Sequence, residues 1–266
     1  MDKRPIGIFD SGLGGLTCIA PIAKALPGER ILYFGDTART PYGSKSRETV
    51  CEFALQIADF LVKNDVKMLA IACNTISATA IPLLQESYPE IPVVGIIEPA
   101  AAEVAASCSA GNSIGIIATK VTVKTKAYER AIKKHDPSLS VYQMACPAFV
   151  PLIEENIIES DIMDSLIRYY LDDFISYHRI DTLVLGCTHY PLIKENILRL
   201  YPKLRIINPS DALASAVERS LRENELLSDD TPKESTFFAS DISENFIQMV
   251  DRIITETDYN IAIRKF

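Results

Sequence analysis

The sequence predicts an α/β protein with mainly parallel sheets, and three observations carry that prediction. Short apolar runs rich in branched residues alternate along nearly the whole chain with longer amphipathic patterns, the signature of strands joined by helical crossovers. The runs are apolar at nearly every position rather than at alternate ones, as strands covered on both faces require. Two of the runs are alike. MLAIACNT (residues 68–75) and TLVLGCTHYP (182–191) each deliver a cysteine at the C-terminal end, followed at once by polar residues and a helical pattern. Ligands bind at such strand ends in α/β sheets. The repetition predicts two similar Rossmann-like lobes with the active site in the cleft between them, one thiol on each side, a geometry that suits a two-base reaction.

Taken in order, IGIFD predicts a strand over 6–10, and the turn Gly12-Leu13-Gly14-Gly15 opens a helix over 13–26. A second strand is expected over 31–35, then a loop over 36–44 that is polar and rich in turn residues. An amphipathic helix over 45–64 leads to the first thiol strand at 67–72, and its successor helix, 75–86, is interrupted by Pro82. After a strand at 92–96, Glu98-Pro99 reads as the crossing into a second lobe, where the pattern restarts: strand 112–118, helix 121–134, strand 139–144, helices 149–156 and 161–178, the second thiol strand 181–186, helix 189–200 and strand 204–208. The tail adds a helix over 211–227, a strand over 235–239 and a helix over 242–255. Lobe one is therefore expected to comprise residues 1–97 plus 208–266, and lobe two residues 98–207. Apart from the charged stretch 228–234 there is no flexible linker, so the lobes should be interwoven.

Composition excludes several classes. The chain has 266 residues, of which 48% are hydrophobic, enough for a substantial core. A net charge of −8 argues against a nucleic-acid footprint, which needs clustered Lys and Arg. Six cysteines without a CxxC pair fit free thiols in a reducing cytosol better than a disulfide scaffold. The start, MDKRPIGIFDSG, lacks the apolar core of a signal peptide, and no apolar run reaches the ~18 residues of a membrane span. A cytoplasmic protein with neither nucleic-acid nor membrane partner is expected.

Cys18, Cys51, Cys108 and Cys146 lie within apolar patterns and read as core fillers. Cys73 and Cys187 differ because each sits where a strand gives way to a helix, near amide dipoles that lower a thiol's pKa. His189 follows Cys187 by two residues. Together with Cys73 it could form part of a zinc site, but further ligands and zinc-motif spacing are missing, and an acid or base beside the thiol is the better role. His135 and His178 are expected on solvent-facing helix surfaces. Asp10 precedes the Gly-rich turn, where it either caps the helix or takes part in chemistry. The turn itself is partly like a dinucleotide fingerprint: its third glycine is missing, but Asp36 comes close to the acidic residue expected after the second strand, so a nucleotide reading stays open. In GDTARTPYG (35–43), Pro41, Tyr42 and Gly43 form a turn that leaves backbone N–H groups free to hold a carboxylate. Ser11, Asn74, Thr75, Thr119 and Thr188 add neutral donors at other strand ends. The set suits a small zwitterionic anion, although each residue also reads as an ordinary loop or cap residue.

DSGLGG (10–15), DTARTPYG (36–43), ACNT (72–75), FVPLIE (149–154) and GCTHYPL (186–192) together resemble the glutamate racemase family, within the aspartate/glutamate racemase superfamily, over nearly the whole chain. The resemblance implies racemisation of glutamate without a cofactor or a metal, the D-glutamate serving peptidoglycan synthesis. It implies that Cys73 and Cys187 are the two catalytic bases, Cys187 attacking L-glutamate and Cys73 D-glutamate, with Asp10, Glu154 and His189 assisting. Ser11, Tyr42, Gly43, Asn74, Thr75, Thr119 and Thr188 would hold the ammonium and carboxylates, with Asp10 and His189 contributing. Oligomeric state is left open, with a homodimer as the form to test. An aspartate racemase would share the mechanism, and a two-lobed acidic amino-acid binding protein would share the lobes, but the latter gives no reason for two thiols in matching positions.

Overall fold

Residues 2–228, 234–254 and 258–266 are described by a computed structural model. The run IGIFD forms β1 (Ile6–Asp10), buried at all five positions; α1 (Leu16–Ala25) returns the chain to β2 (Ile31–Gly35). The loop that follows contains two 3-10 turns, Thr37–Arg39 and Tyr42–Ser44. Ser46 caps α2 (Arg47–Lys63) by accepting from the Thr49 N–H, satisfying an amide that a helix start leaves free. Then come β3 (Met68–Ile71), α3 (Asn74–Thr79), α4 (Ile81–Ser87) and β4 (Val93–Gly95). The expected interruption is real: Pro82 lies in the first turn of α4, where its missing N–H costs nothing.

The stretch read only as a crossing point is a helix, α5 (Ile97–Ser107). Pro99 is compatible with its first turn, Ile97, Ala100, Ala101 and Val104 bury one face, and the small side chains let it pack against its neighbours. The next elements are β5 (Ser113–Ala118), α6 (Lys120–Thr125), α7 (Ala127–His135), β6 (Ser140–Ala145), α8 (Phe149–Glu154), α9 (Asp161–His178) and β7 (Thr182–Gly186). The single helix expected over 121–134 is divided at Lys126, which is left-handed with φ 53°. After β7 the chain makes a 3-10 turn, Tyr190–Ile193, before α10 (Lys194–Leu200), so the helix expected from residue 189 starts later. β8 (Arg205–Ile207), α11 (Pro209–Glu223), β9 (Ser235–Ala239) and α12 (Glu244–Ile253) follow. A last strand, β10 (Tyr259–Ile263), was not foreseen; it is a half-buried edge strand with little apolar signal. Most of the charged stretch 228–234, and the expected helix end at residue 255, lie outside the described residues.

The strands form a six-stranded sheet, β10-β9-β2-β1-β3-β4, and a four-stranded sheet, β6-β5-β7-β8. Every ladder is parallel, so the C-terminal ends of β1, β2 and β3 lie side by side, as do those of β5 and β7. One apolar cluster takes in Ile6 and Ile8 of β1 together with Ile114 and Ile116 of β5 and Val184 of β7. It is supplemented by α1, α5, α7 and α11, and α5 packs on both α7 and α11. The two sheets therefore share a core, as the interwoven reading requires. Separate clusters cover the outer faces, against α2 on the larger sheet and against α9 on the smaller.

All six cysteines are free. Cys18 and Cys146 are core residues as expected, whereas Cys51 and Cys108 are only half-buried. His135 meets Glu98 at the surface. His178 departs from the expectation of a solvent-facing ring: it is half-buried and stacks on Tyr142 at a centroid distance of 4.0 Å. At the far end of the larger sheet Lys67, just before β3, is fully buried with Nζ 2.5 Å from Glu29 Oε2 and bonded to the carbonyls of Asp2 and Leu226. No helix among the described residues is long and apolar enough to cross a membrane.

Candidate active site

The first thiol stands two residues beyond β3, as the N-cap of α3. The Ile76 N–H donates to Cys73 Sγ at 3.5 Å, and the Ser11 hydroxyl lies 3.3 Å from the same sulfur. The expectation of a lowered thiol pKa is overturned at Cys73. Burial, followed by the charge of Asp10, pushes it up to about 12, and the Ser11 and Ile76 contacts only partly oppose this. A six-residue helix supplies one aligned amide at the sulfur, whereas desolvation acts on the whole thiolate.

The second thiol follows β7 directly and is also buried. His189 Nδ1 lies 3.8 Å from Cys187 Sγ, and Nε2 lies 3.0 Å from Glu154 Oε1. Burial by itself would depress the imidazole, but the bonds to Cys187 and Glu154 outweigh it and raise the pKa to about 10. A charged His189 donates through both nitrogens, to the sulfur on one side and to the carboxylate on the other. Among the described residues no group of three or more His, Cys, Asp or Glu is placed to hold a metal ion.

Asp10 joins the two thiol loops. Its Oδ2 accepts the N–H groups of Gly12 at 3.1 Å and Gly15 at 3.0 Å, so it does cap the Gly-rich turn, while Oδ1 accepts the Thr188 hydroxyl at 3.3 Å. It is fully buried, and burial raises its pKa against the opposing pull of His189 and these hydrogen bonds. Thr17 Oγ1 donates to the Thr188 carbonyl at 2.9 Å. A Cβ on Gly14 would sit 2.4 Å from both His189 Nδ1 and Thr188 Oγ1, and one on Gly43 would sit 2.5 Å from Thr119 Cβ. These glycines let segments that follow β1 and β2 close on segments that follow β7 and β5. Packing accounts for the Gly-rich turn without a dinucleotide, because His189 and Thr188 occupy the space at Gly14.

The remaining donors fall around this junction. Thr75 Oγ1 lies 3.0 Å from Thr119 Oγ1, which lies 3.0 Å from Thr122 Oγ1. The Tyr42 hydroxyl donates to the buried Asp36, which also accepts from Arg39 and Ser240. Tyr42 therefore has its side chain engaged elsewhere, and together with Gly43 it offers the leading amides of a 3-10 turn, which have no acceptor within the turn. Asn74 is buried with Nδ2 unpartnered, its Oδ1 accepting from Tyr128 at 2.6 Å. Sequence reading missed Thr122 and Tyr128. Thr122 carried one weak signal, its three-residue spacing from Thr119; Tyr128 carried none, because only the tertiary fold brings α7 to Asn74.

Residues 10–217 match the family model described as Asp/Glu/Hydantoin racemase. The chain belongs to that family. It is 44% identical over 256 residues to the glutamate racemase of Geobacter metallireducens, covering 96% of this chain and 94% of that protein. It is 42% identical over 251 residues to the glutamate racemase of a Sulfurihydrogenibium species, with 94% of each covered. The crystal structure of glutamate racemase from Francisella tularensis in complex with D-glutamate superposes with a TM-score of 0.92 at 39% identity, over 100% of this chain and 98% of that one. The resemblance read from the motifs thus extends over nearly the full length, and so does the two-sheet fold.

Proposed function

We propose that this protein interconverts L- and D-glutamate without a cofactor, using Cys73 and Cys187 as opposed acid–base groups, and that it supplies D-glutamate for peptidoglycan in the cytoplasm. The observation that carries the reading is the convergence at Asp10: a thiol ends each matching strand, β3 and β7, and one buried carboxylate acts on Cys73 while holding Thr188 beside Cys187. Strand membership supports the division into 1–97 plus 208–266 and 98–207, since the larger sheet draws only on residues 6–95 and 235–263 and the smaller only on 113–207.

Inverting a stereocentre by deprotonation needs a proton removed from one face and another delivered to the opposite face, which two groups across a cleft accomplish. Cys73 is held as the thiol, the form that delivers a proton. At Cys187 the imidazolium of His189, backed by Glu154, supplies the counter-charge that a thiolate attacking L-glutamate requires. In a reaction without an electron sink, preorganised donors must stabilise charge developing on the α-carboxylate. Asn74 Nδ2, the amides of Tyr42 and Gly43, and the hydroxyls of Ser11, Thr75 and Thr119 are the donors proposed for that task; Thr188 gives its hydroxyl proton to Asp10, whose carboxylate would meet the ammonium. Incubation of the purified protein with L-glutamate should carry optical rotation to zero. Tight binding of glutamate with unchanged rotation would replace the racemase reading with that of a binding protein.

A further inference from the structure

The Asn74 side chain has its two polar ends in unequal states. Oδ1 accepts the Tyr128 hydroxyl at 2.6 Å, while Nδ2, one residue from Cys73, is buried without a partner. A buried donor left unpaired is costly and calls for a ligand or a water to meet it. Which end of the amide is left over depends on Tyr128. Burial pushes that phenol well above its usual range, so the hydroxyl keeps its proton and needs an acceptor, which the amide can offer only through oxygen. The Tyr128 ring also touches the other thiol motif: a Cβ on Gly186, the residue before Cys187, would lie 3.2 Å from Tyr128 Cε2. The absence of a side chain at Gly186 gives the ring its place beside β7, and from there the hydroxyl reaches across to α3.

Resting on the racemase reading above, we propose that Tyr128 is a positioning residue for the reaction: it fixes the Asn74 amide with Nδ2 left free to donate to the bound amino acid, and ties that orientation to the strand end that carries Cys187. Without the hydroxyl, the amide can turn and present oxygen to a carboxylate, and binding must then select the productive orientation.

Tyr128→Phe keeps the ring against Gly186 and removes only the hydroxyl. KM for both enantiomers should rise about tenfold while kcat changes by no more than a few-fold, as expected for loss of one oriented hydrogen bond used in binding. In an Asn74→Ala background the same change should alter KM by less than about twofold, since the two residues act through one contact. Independent effects in that cycle, or an unchanged KM in Tyr128→Phe, would overturn the proposal. A second measurement does not depend on turnover. With 15N-labelled asparagine, the Asn74 side-chain amide, assigned by its loss in Asn74→Ala, should be rigid in the ligand-free wild type and mobile in Tyr128→Phe. An amide equally rigid in both overturns the positioning role, whereas a wild type that leaves glutamate unracemised overturns the functional reading itself.

Discussion

Glu154→Gln isolates one charge. Glutamine can still accept the His189 Nε2–H now 3.0 Å from Glu154 Oε1, so geometry is retained and only the carboxylate's charge is lost. A hydrogen bond to a charged acceptor exceeds a neutral one by roughly 1–1.5 kcal/mol, or about one pKa unit, so His189 should fall from about 10 to about 9. The folded-state pKa lies above the unfolded value of about 6.5. The contribution of His189 to stability is therefore complete below pH ~6.5 and is lost as pH rises through about 10. The variant should accordingly be less stable than the wild type by about 1–1.5 kcal/mol near pH 6.5, with the gap closing above pH 10. Urea unfolding at the two pH values measures the gap, and NMR titration of the imidazole, one of three histidines in the chain, measures the shift. Turnover of L-glutamate should drop about tenfold with little change in KM. A His189 that titrates as in the wild type, or a stability loss equal at both pH values, would refute the account of Glu154 as an electrostatic partner.

Other expectations follow from the same geometry. In deuterated water, D-glutamate formed from L-glutamate should carry solvent deuterium at the α-carbon while recovered L-glutamate at first carries almost none, and the D-to-L direction should give the mirror pattern. Equal early labelling of substrate and product by proton NMR would point to a single base or to rapid exchange at the abstracting thiol. Cys73→Ala and Cys187→Ala should each abolish racemisation with the fold intact by circular dichroism, whereas Cys51→Ala, half-buried on α2, should keep near-normal kinetics; wild-type turnover in either of the first two would mean the thiol pair is misread. Lys67→Met should cost about 3–5 kcal/mol in urea unfolding because Glu29 is left buried without its counter-charge. Its kcat should stay close to wild type, since Lys67 precedes β3 and Cys73 follows it, and a loss of less than about 1 kcal/mol would show that the buried pair relaxes into solvent.

Local sequence determined the elements whose signal is local. β1, β2 and β9 have the limits their apolar runs and flanking turn residues set, because a strand buried on both faces must be apolar throughout. The two cysteines were legible for the same reason, each marking the abrupt end of such a run. α5 was not legible, since Glu98-Pro99 reads as a break until the small face of the helix is packed on α7 and α11. β10 was not, since an edge strand need not be apolar. The direction of the Cys73 pKa was misjudged because a helix N-terminus is visible in sequence, while the burial and the Asp10 charge that outweigh it arise only on folding. The pairings of Asp10 with Thr188, His189 with Glu154, and Tyr128 with Asn74 join residues far apart in the chain. Residue types and strand periodicity determined that two thiols would stand at strand ends; the packing of two parallel sheets on one core decided what surrounds each of them, because hydrogen bonding and desolvation depend on distances that no local pattern encodes.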